Sequence, residues 1–335
     1  MEKAPRFRLV LPLLLILLDG RRSTAAHIVI TVTGPIPASR MGKTLVHEHL
    51  LVDFSGADST GAQWWDRDKV VERVSPFLSE LRELGVETLI ECTPAYLGRD
   101  PQLLKTLSEE TGLKLMTNTG YYGAHDNKYL PASFYNQSAM ELASIWIDEF
   151  ENGIGGTTVR PGFIKIAVSS SDTLSEDHRK IVSAAALTRN QTGMVIASHT
   201  GPDGPAFEQI HILKTYGITP FSFIWVHAQR GTLEGNIRAA REGAWISLDN
   251  INGEFDQEPG EKFSIGWYAD RILTLKEEGL LNRVLVSNDA GWYTPGEENG
   301  GDFRGFTDVF KLLIPALKER GFSDKEIDRL LKRNP

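Results

Sequence analysis

The 335-residue chain has a single cysteine, Cys92, so no intramolecular disulfide can form and no cysteine-based zinc finger fits. It has no basic tract beyond Lys/Arg pairs, and its net charge is −8, which disfavours nucleic-acid binding. No sequence repeat, low-complexity tract or Pro/Ser-rich linker interrupts it, which favours one domain. Long hydrophobic runs are also missing, apart from LVLPLLLILL at 9–18. That run is too short to cross a bilayer, which takes roughly 20 helical residues. Lys3, Arg6 and Arg8 precede it and the small residues STAA follow at 23–26, the layout of a secretory leader over residues 1–26. The remaining chain, 27–335, is then exported to a periplasm or secreted, with no stable membrane insertion after cleavage. Arg21 and Arg22 behind the apolar core leave an uncleaved short anchor as the alternative.

What is present is alternation. Short β-branched runs at 44–47, 86–93, 114–119, 163–168, 194–199, 222–227, 244–249 and 283–289 are separated by longer amphipathic stretches. Helical patterns occupy 68–85, 176–193, 204–217, 233–243 and 267–279, several of them ending in glycine. Strand followed by helix, repeated, argues a parallel sheet. Eight such units in a chain of this length predict an α/β fold, a (β/α)8 TIM barrel, with a doubly wound open sheet as the alternative.

Strands buried in such a barrel should be apolar, and the polar exceptions gather at their carboxyl ends. His47 and His49 close the first strand, His199 the fifth, His227 the sixth and Asp289 the eighth, while Lys165 interrupts the fourth. Barrel active sites form at that rim. Residues two apart on a strand share a side, so His47 and His49 can reach one ion together, and Asp289 adds an anionic oxygen. Lys165 is the odd member. An ammonium would repel a cation, so it must be deprotonated, displaced or converted to a carbamate. Taken singly, each histidine is as readily structural as metal-binding; it is their shared position at strand ends that carries the signal. His125, His178 and His211 fall in a loop and on helices and carry none, and Glu48, facing away from its flanking histidines, is assigned no chemistry.

The segments TVTGPIPASRMGKTLVHEHL, GFIKIAV, ASHTG, FIWVHA, ISLD and VLVSNDAGW, in this order, resemble the phosphotriesterase family of the amidohydrolase superfamily. The resemblance implies a TIM barrel with two divalent ions, often zinc, at its rim. It implies that His47, His49 and Asp289 hold one ion and His199 and His227 the other. Lys165, as N6-carboxylysine, would bridge them together with a hydroxide. Asp289 is then also the catalytic base, and the reaction is hydrolysis of a lactone, carboxylic ester or phosphotriester. The same centre would support cleavage of a C–N bond, and a barrel that binds metal or ligand without turnover is the non-enzymatic alternative.

The chain departs from the family's efficient phosphotriesterases at two places. Asp249 is followed by Asn250 where they carry histidine, and His227-Ala-Gln-Arg230 lacks their aspartate, so the proton relay beyond Asp289 reads as incomplete. The family's lactonases carry arginine at the place of Asn250, which does not match either. Tyr121 and Tyr122 after the third strand, Arg230, Asn250 and Trp292 are the expected substrate contacts, with aromatic packing in the loop an equal alternative for the two tyrosines. The Gly-rich stretch 290–303 is the expected lid, although its aromatics would serve loop packing equally well. The expected partners are a small-molecule substrate and no nucleic acid, with room for a homodimer. Relatives usually continue into a further C-terminal helix where this sequence stops, at Asn334-Pro335, so the chain reads as a truncated product.

Overall fold

The β-branched runs become staves because a parallel strand packed on both faces has no polar side to present. In the computed structural model, which describes residues 27–255 and 261–335, they close into a (β/α)8 barrel. A small antiparallel hairpin, β1 (Ile28–Thr31) and β2 (Gly34–Pro37), precedes it, and the Val32 N–H donates to Leu115 O at 2.9 Å to tie the hairpin to the third stave. The staves follow in order as β3 (Lys43–Leu51), β4 (Val86–Glu91), β5 (Lys114–Met116) continued by β6 (Asn118–Thr119), and β7 (Phe163–Ala167). Then come β8 (Ile196–His199), β9 (Phe223–Val226), β10 (Trp245–Leu248), and β11 (Val284–Val286) continued by β12 (Gly291–Tyr293). Each pairs in parallel with the next, and β12 pairs with β3 to close the ring. The leader read at 1–26 lies outside the described residues. Among the described residues, no helix is long and apolar enough to cross a membrane.

The helical patterns appear as α1 (Arg67–Glu83), α4 (Glu176–Thr192), α5 (Asp203–Thr215), α6 (Leu233–Glu242) and α7 (Ile265–Glu277). Four more helices complete the outer layer: α2 (Pro101–Thr111), α3 (Ala139–Asn152), α8 (Ile314–Glu319) and α9 (Asp324–Asp328). Local chemistry sets their starts. Asp66, Asp100 and Ser138 accept hydrogen bonds from the first free backbone N–H groups of α1, α2 and α3. One face then turns inward; on α4 this is the stripe His178, Ile181, Val182 and Ala185 at helical spacing. Large side chains such as Trp146, Trp225 and Phe306 are fully buried between helices and barrel.

Two glycines permit close approaches that matter for the rim. Gly120 (φ +120°) lets the third stave pass against the backbone of Lys165, and Gly291 (φ +99°) lets the eighth pass against His49, its register partner. A methyl at Gly291 would overlap the His49 carbonyl oxygen and press on Phe306. Gly291→Ala is therefore expected to cost about 1–3 kcal/mol in urea unfolding of the metal-free protein. Gly296→Ala, also at positive φ (+88°) but with open space around it, isolates the backbone strain alone and should cost less. Equal losses in the two variants would show that the β12–β3 approach is not the constraint.

Candidate metal centre

The site is assembled from five staves of the barrel. His47 and His49 project from β3 to the interior, both buried, with their Nε2 atoms 3.2 Å apart. Asp289 sits in the break between β11 and β12 with a left-handed backbone (φ 51°), which aims its carboxylate back over the histidines. Its Oδ1 lies 3.2 Å from His49 Nε2 and 3.5 Å from His47 Nε2. Lys165, on β7 and almost fully buried, places Nζ 3.4 Å from His47 Nε2. His227, left-handed (φ 59°) at the end of β9, brings Nδ1 within 3.8 Å of Asp289 Oδ2. His199 ends β8 with its ring centroid 4.4 Å from that of His227. All six side chains picked out at strand ends thus converge on one pocket.

The opposite edges of these rings are already occupied. Asp249, just past β10 and fully buried, accepts from His47 Nδ1 at 3.0 Å, His227 Nδ1 at 2.5 Å and the His227 N–H at 3.2 Å. Ser247 Oγ (2.9 Å) and Gln229 Nε2 (3.0 Å) donate to the same carboxylate. Burial alone would raise the Asp249 carboxyl, but the His227 and His47 N–H groups that donate to it outweigh burial and hold it well below the ordinary carboxylate range. Because an ionised carboxylate only accepts, both rings carry their proton on Nδ1, and the Nε2 lone pair of His47 faces the pocket. His49 Nδ1 is engaged by Thr93 Oγ1 at 2.8 Å, which orients its Nε2 likewise. Such outer partners fix metal-binding imidazoles in many sites. Asp249 stands within 4.8 Å of His47, His227 and Asp289, but its oxygens are spent on the backs of the rings.

The electrostatics suit a cation. Burial lowers the pKa of His49 to about 4 and that of His47 below its usual value, and burial beside His227 lowers His199 well below it, so these rings are neutral donors at pH 7. Burial would raise Asp289 as well, yet His47, His49 and His227 more than offset it and keep the carboxylate ionised. Neutral imidazoles around a held carboxylate are a donor set for a borderline divalent ion.

The expected substrate contacts separate. Tyr122 points inward, with its hydroxyl 3.2 Å from His199 Nδ1. Tyr121 turns the other way, edge-on to Trp146 on α3 and to Tyr96. Trp292, left-handed (φ 74°) and half-exposed, meets His49 edge-on with ring centroids 6.1 Å apart. Asn250 (φ 60°) follows Asp249 directly, and Arg230 is exposed on the turn after His227. Sequence reasoning missed what Asp249 and Glu48 do. Glu48 does face away from the metal pocket, but it accepts from Ser287 Oγ (2.7 Å), the Asn288 N–H (2.8 Å), Asn288 Nδ2 (2.9 Å) and the Ala290 N–H (2.9 Å). It thereby clamps both flanks of Asp289. Burial pushes its pKa up to about 7 against the pull of those donors. The available signal was a charge inside an apolar strand, which has to be paired.

Residues 28–335 match the model of the phosphotriesterase family. The chain belongs to that family. Among relatives of this phosphotriesterase-family barrel, the phosphotriesterase homology protein of Escherichia coli is 32% identical over 88% of this chain and 96% of its own. The aryldialkylphosphatase of Saccharolobus solfataricus is 28% identical over 90% and 95%. A variant of a PTE-like lactonase from Deinococcus radiodurans superposes with a TM-score of 0.81 at 25% identity, covering 92% of this chain and 98% of that one. The family is binuclear and metal-dependent, and its members are hydrolases, as this chain is.

The Asp249 geometry yields a test. Asp249→Asn keeps the shape but turns an amide N–H₂ toward one of two imidazole donors, so one ring loses its anchor. Metal affinity, measured by equilibrium dialysis with elemental analysis, is expected to fall about 10–100-fold. Unchanged affinity would mean that Asp249 does not orient the ligands.

Proposed function

We propose that the protein is a hydrolase of lactones and carboxylic esters whose centre holds two divalent ions, zinc being the ion that suits the donors best. In this reading His47, His49 and Asp289 would hold one ion and His199 and His227 the other, and Lys165, as its N6-carbamate, would supply them an anionic ligand. The ions would supply an acidified water and a Lewis acid for the carbonyl oxygen. The single observation that carries the reading is the convergence of neutral imidazole Nε2 atoms, the Asp289 carboxylate and Lys165 Nζ within 3.2–3.5 Å contacts. The lysine supports it in another way. Among the described residues no carboxylate lies within ion-pair distance of buried Lys165, and a buried, uncompensated ammonium is costly. Carbamoylation converts that liability into an anion suited to two cations.

The preference for acyl substrates comes from the path of the proton. Asp289 takes the proton of the attacking hydroxyl and must release it again. At the places where the family's efficient phosphotriesterases continue the relay, this chain has an amide, Asn250, and, on the turn after His227, a second amide, Gln229, whose side chain is committed to Asp249 through Nε2 and to the Asp249 N–H through Oε1. Neither can carry a proton near neutral pH as an imidazole does, and Arg230 cannot accept one. When a lactone opens, the C–O bond breaks to a tethered alkoxide, which takes the proton from Asp289 directly, so that proton needs no relay through the protein. The proton lost when the next water becomes hydroxide leaves to solvent. The PTE-like lactonase among the structural neighbours accords with this chemistry.

Kinetics on one metal-loaded preparation test the preference. Lactone or carboxylic-ester kcat/KM should exceed that for paraoxon-like phosphotriesters. A phosphotriester that outruns every lactone and ester would show that Asn250 imposes no limit.

The carbamate has a separate test. Lys165→Ala should lose nearly all activity, and short carboxylic acids should partly restore metal binding, read by elemental analysis. An unmodified Lys165 in a protein crystallised with two ions bound would end this part of the reading.

A further inference from the structure

Arg230 has a position that the metal chemistry does not use. It closes the short turn Ala228–Arg230, with its N–H donating to His227 O at 2.9 Å, so it lies three residues beyond one metal-pocket histidine. Its side-chain stem crosses to the neighbouring stave, where Cδ and Cβ lie 3.6 and 3.7 Å from the point a Cβ on Gly201 would occupy. Gly201 is two residues beyond His199. The cation therefore rides on the rim above the His199–His227 pair. Its charge is felt there: it acts on His199 and Tyr122, in each case as a minor influence beside burial.

The turn is held rigidly. Arg271, buried and stacked 4.6 Å over the Trp267 ring, donates through Nη1 to Gln229 O (3.3 Å) and through Nη2 to Gly231 O (3.0 Å), gripping the carbonyls on both sides of Arg230. Asp203, the acid packed on the same turn, is taken up by the N–H (2.9 Å) and Oγ1 (2.5 Å) of Thr232. Among the described residues no carboxylate lies within ion-pair distance of the Arg230 guanidinium, even though the chain is acidic overall. Across the barrel, at staves one and eight, the rim is apolar instead: half-exposed Phe54 and Trp292 meet edge-on at 6.0 Å. The mouth thus has an aromatic wall on one side and a fixed, unneutralised cation on the other.

We infer that Arg230 anchors an oxyanion remote from the scissile bond, so the substrate class is acyl compounds that carry a carboxylate, sulfonate or phosphate group. A guanidinium presents a planar fork that matches such groups, and desolvation at the mouth strengthens the pairing. The inference rests on the hydrolase reading for its acyl group, but the anion anchor can be measured without turnover.

The test uses the full, metal-loaded chain and matched aryl esters that differ in one remote group, a sulfonate or its neutral methyl sulfone. The wild type should favour the sulfonate by about fivefold or more in kcat/KM, chiefly through KM, and the preference should shrink as salt rises. Arg230→Gln should bring the ratio near one, and Arg230→Lys should keep part of it. A ratio near one in the wild type, or one unaltered in Arg230→Gln with full metal content, overturns the inference. If neither ester is hydrolysed, the ester-hydrolase reading fails and the anchor is read by calorimetry on the acid products. Tighter binding of the sulfonated acid than of its sulfone counterpart, lost in Arg230→Gln, sustains it; equal affinities refute it.

Discussion

Asp249 is fully buried and yet ionised, and the residues that donate to it come from three staves of the barrel: His47 from the first, His227 and Gln229 from the end of the sixth, Ser247 from the seventh. A lone buried carboxylate costs several kcal/mol, and only this full set of donors offsets it. The staves are therefore not free to slide past one another, because any shift would strand the charge. The same bonds decide which nitrogen of His47 and His227 keeps its proton. Register, tautomer and metal affinity are consequences of one interaction, which is why the pocket can hold neutral imidazoles close together before any cation arrives.

The barrel was legible because parallel staves covered on both faces write themselves as apolar runs, and because chemistry at the rim appears as polar residues at the ends of those runs. The pair His47 and His49 was legible from the two-residue period of a strand. The sides taken by Tyr121 and Tyr122 were not. Neighbouring strand residues point oppositely, and the break at Thr117 followed by Gly120 at φ +120° resets which is which. Asp249 was visible only as a strand-end acid, since whether it meets an ion or the back of an imidazole depends on stave tilt. Helix α3 was missed although AMELASIWIDEFEN buries Leu142, Ala143 and Trp146 on one face and its Ser138–Glu141 capping box was there to be read.

Charge at the mouth is arranged by contrast. Below the rim the carboxylates are matched, Asp249 and Asp289 by histidines and Glu48 by four donated hydrogen bonds. Lys165 is the group left there without an anionic partner among the described residues. At the rim, Arg230 is matched by nothing among the described residues, while its turn is fixed by Arg271. If Arg230 anchors a substrate anion, recognition and reactivity lie in different layers of the same pocket.

The split eighth stave has an evolutionary consequence. Glu48 templates the Ser287–Ala290 turn from the strand beneath it, and the chain beyond is pinched shut where the N–H groups of Gly291 and Arg304 each donate to the other residue's carbonyl at 3.0 Å. Arg304 further caps the carbonyls of Asn288 and Asp289 (2.7 and 2.8 Å). The excursion from Thr294 to Phe303 therefore leaves and re-enters the barrel at a fixed base. Insertions or deletions within it are thus uncoupled from Asp289, so this stretch is free to vary in length across a lineage while the turn that carries the carboxylate is inherited intact.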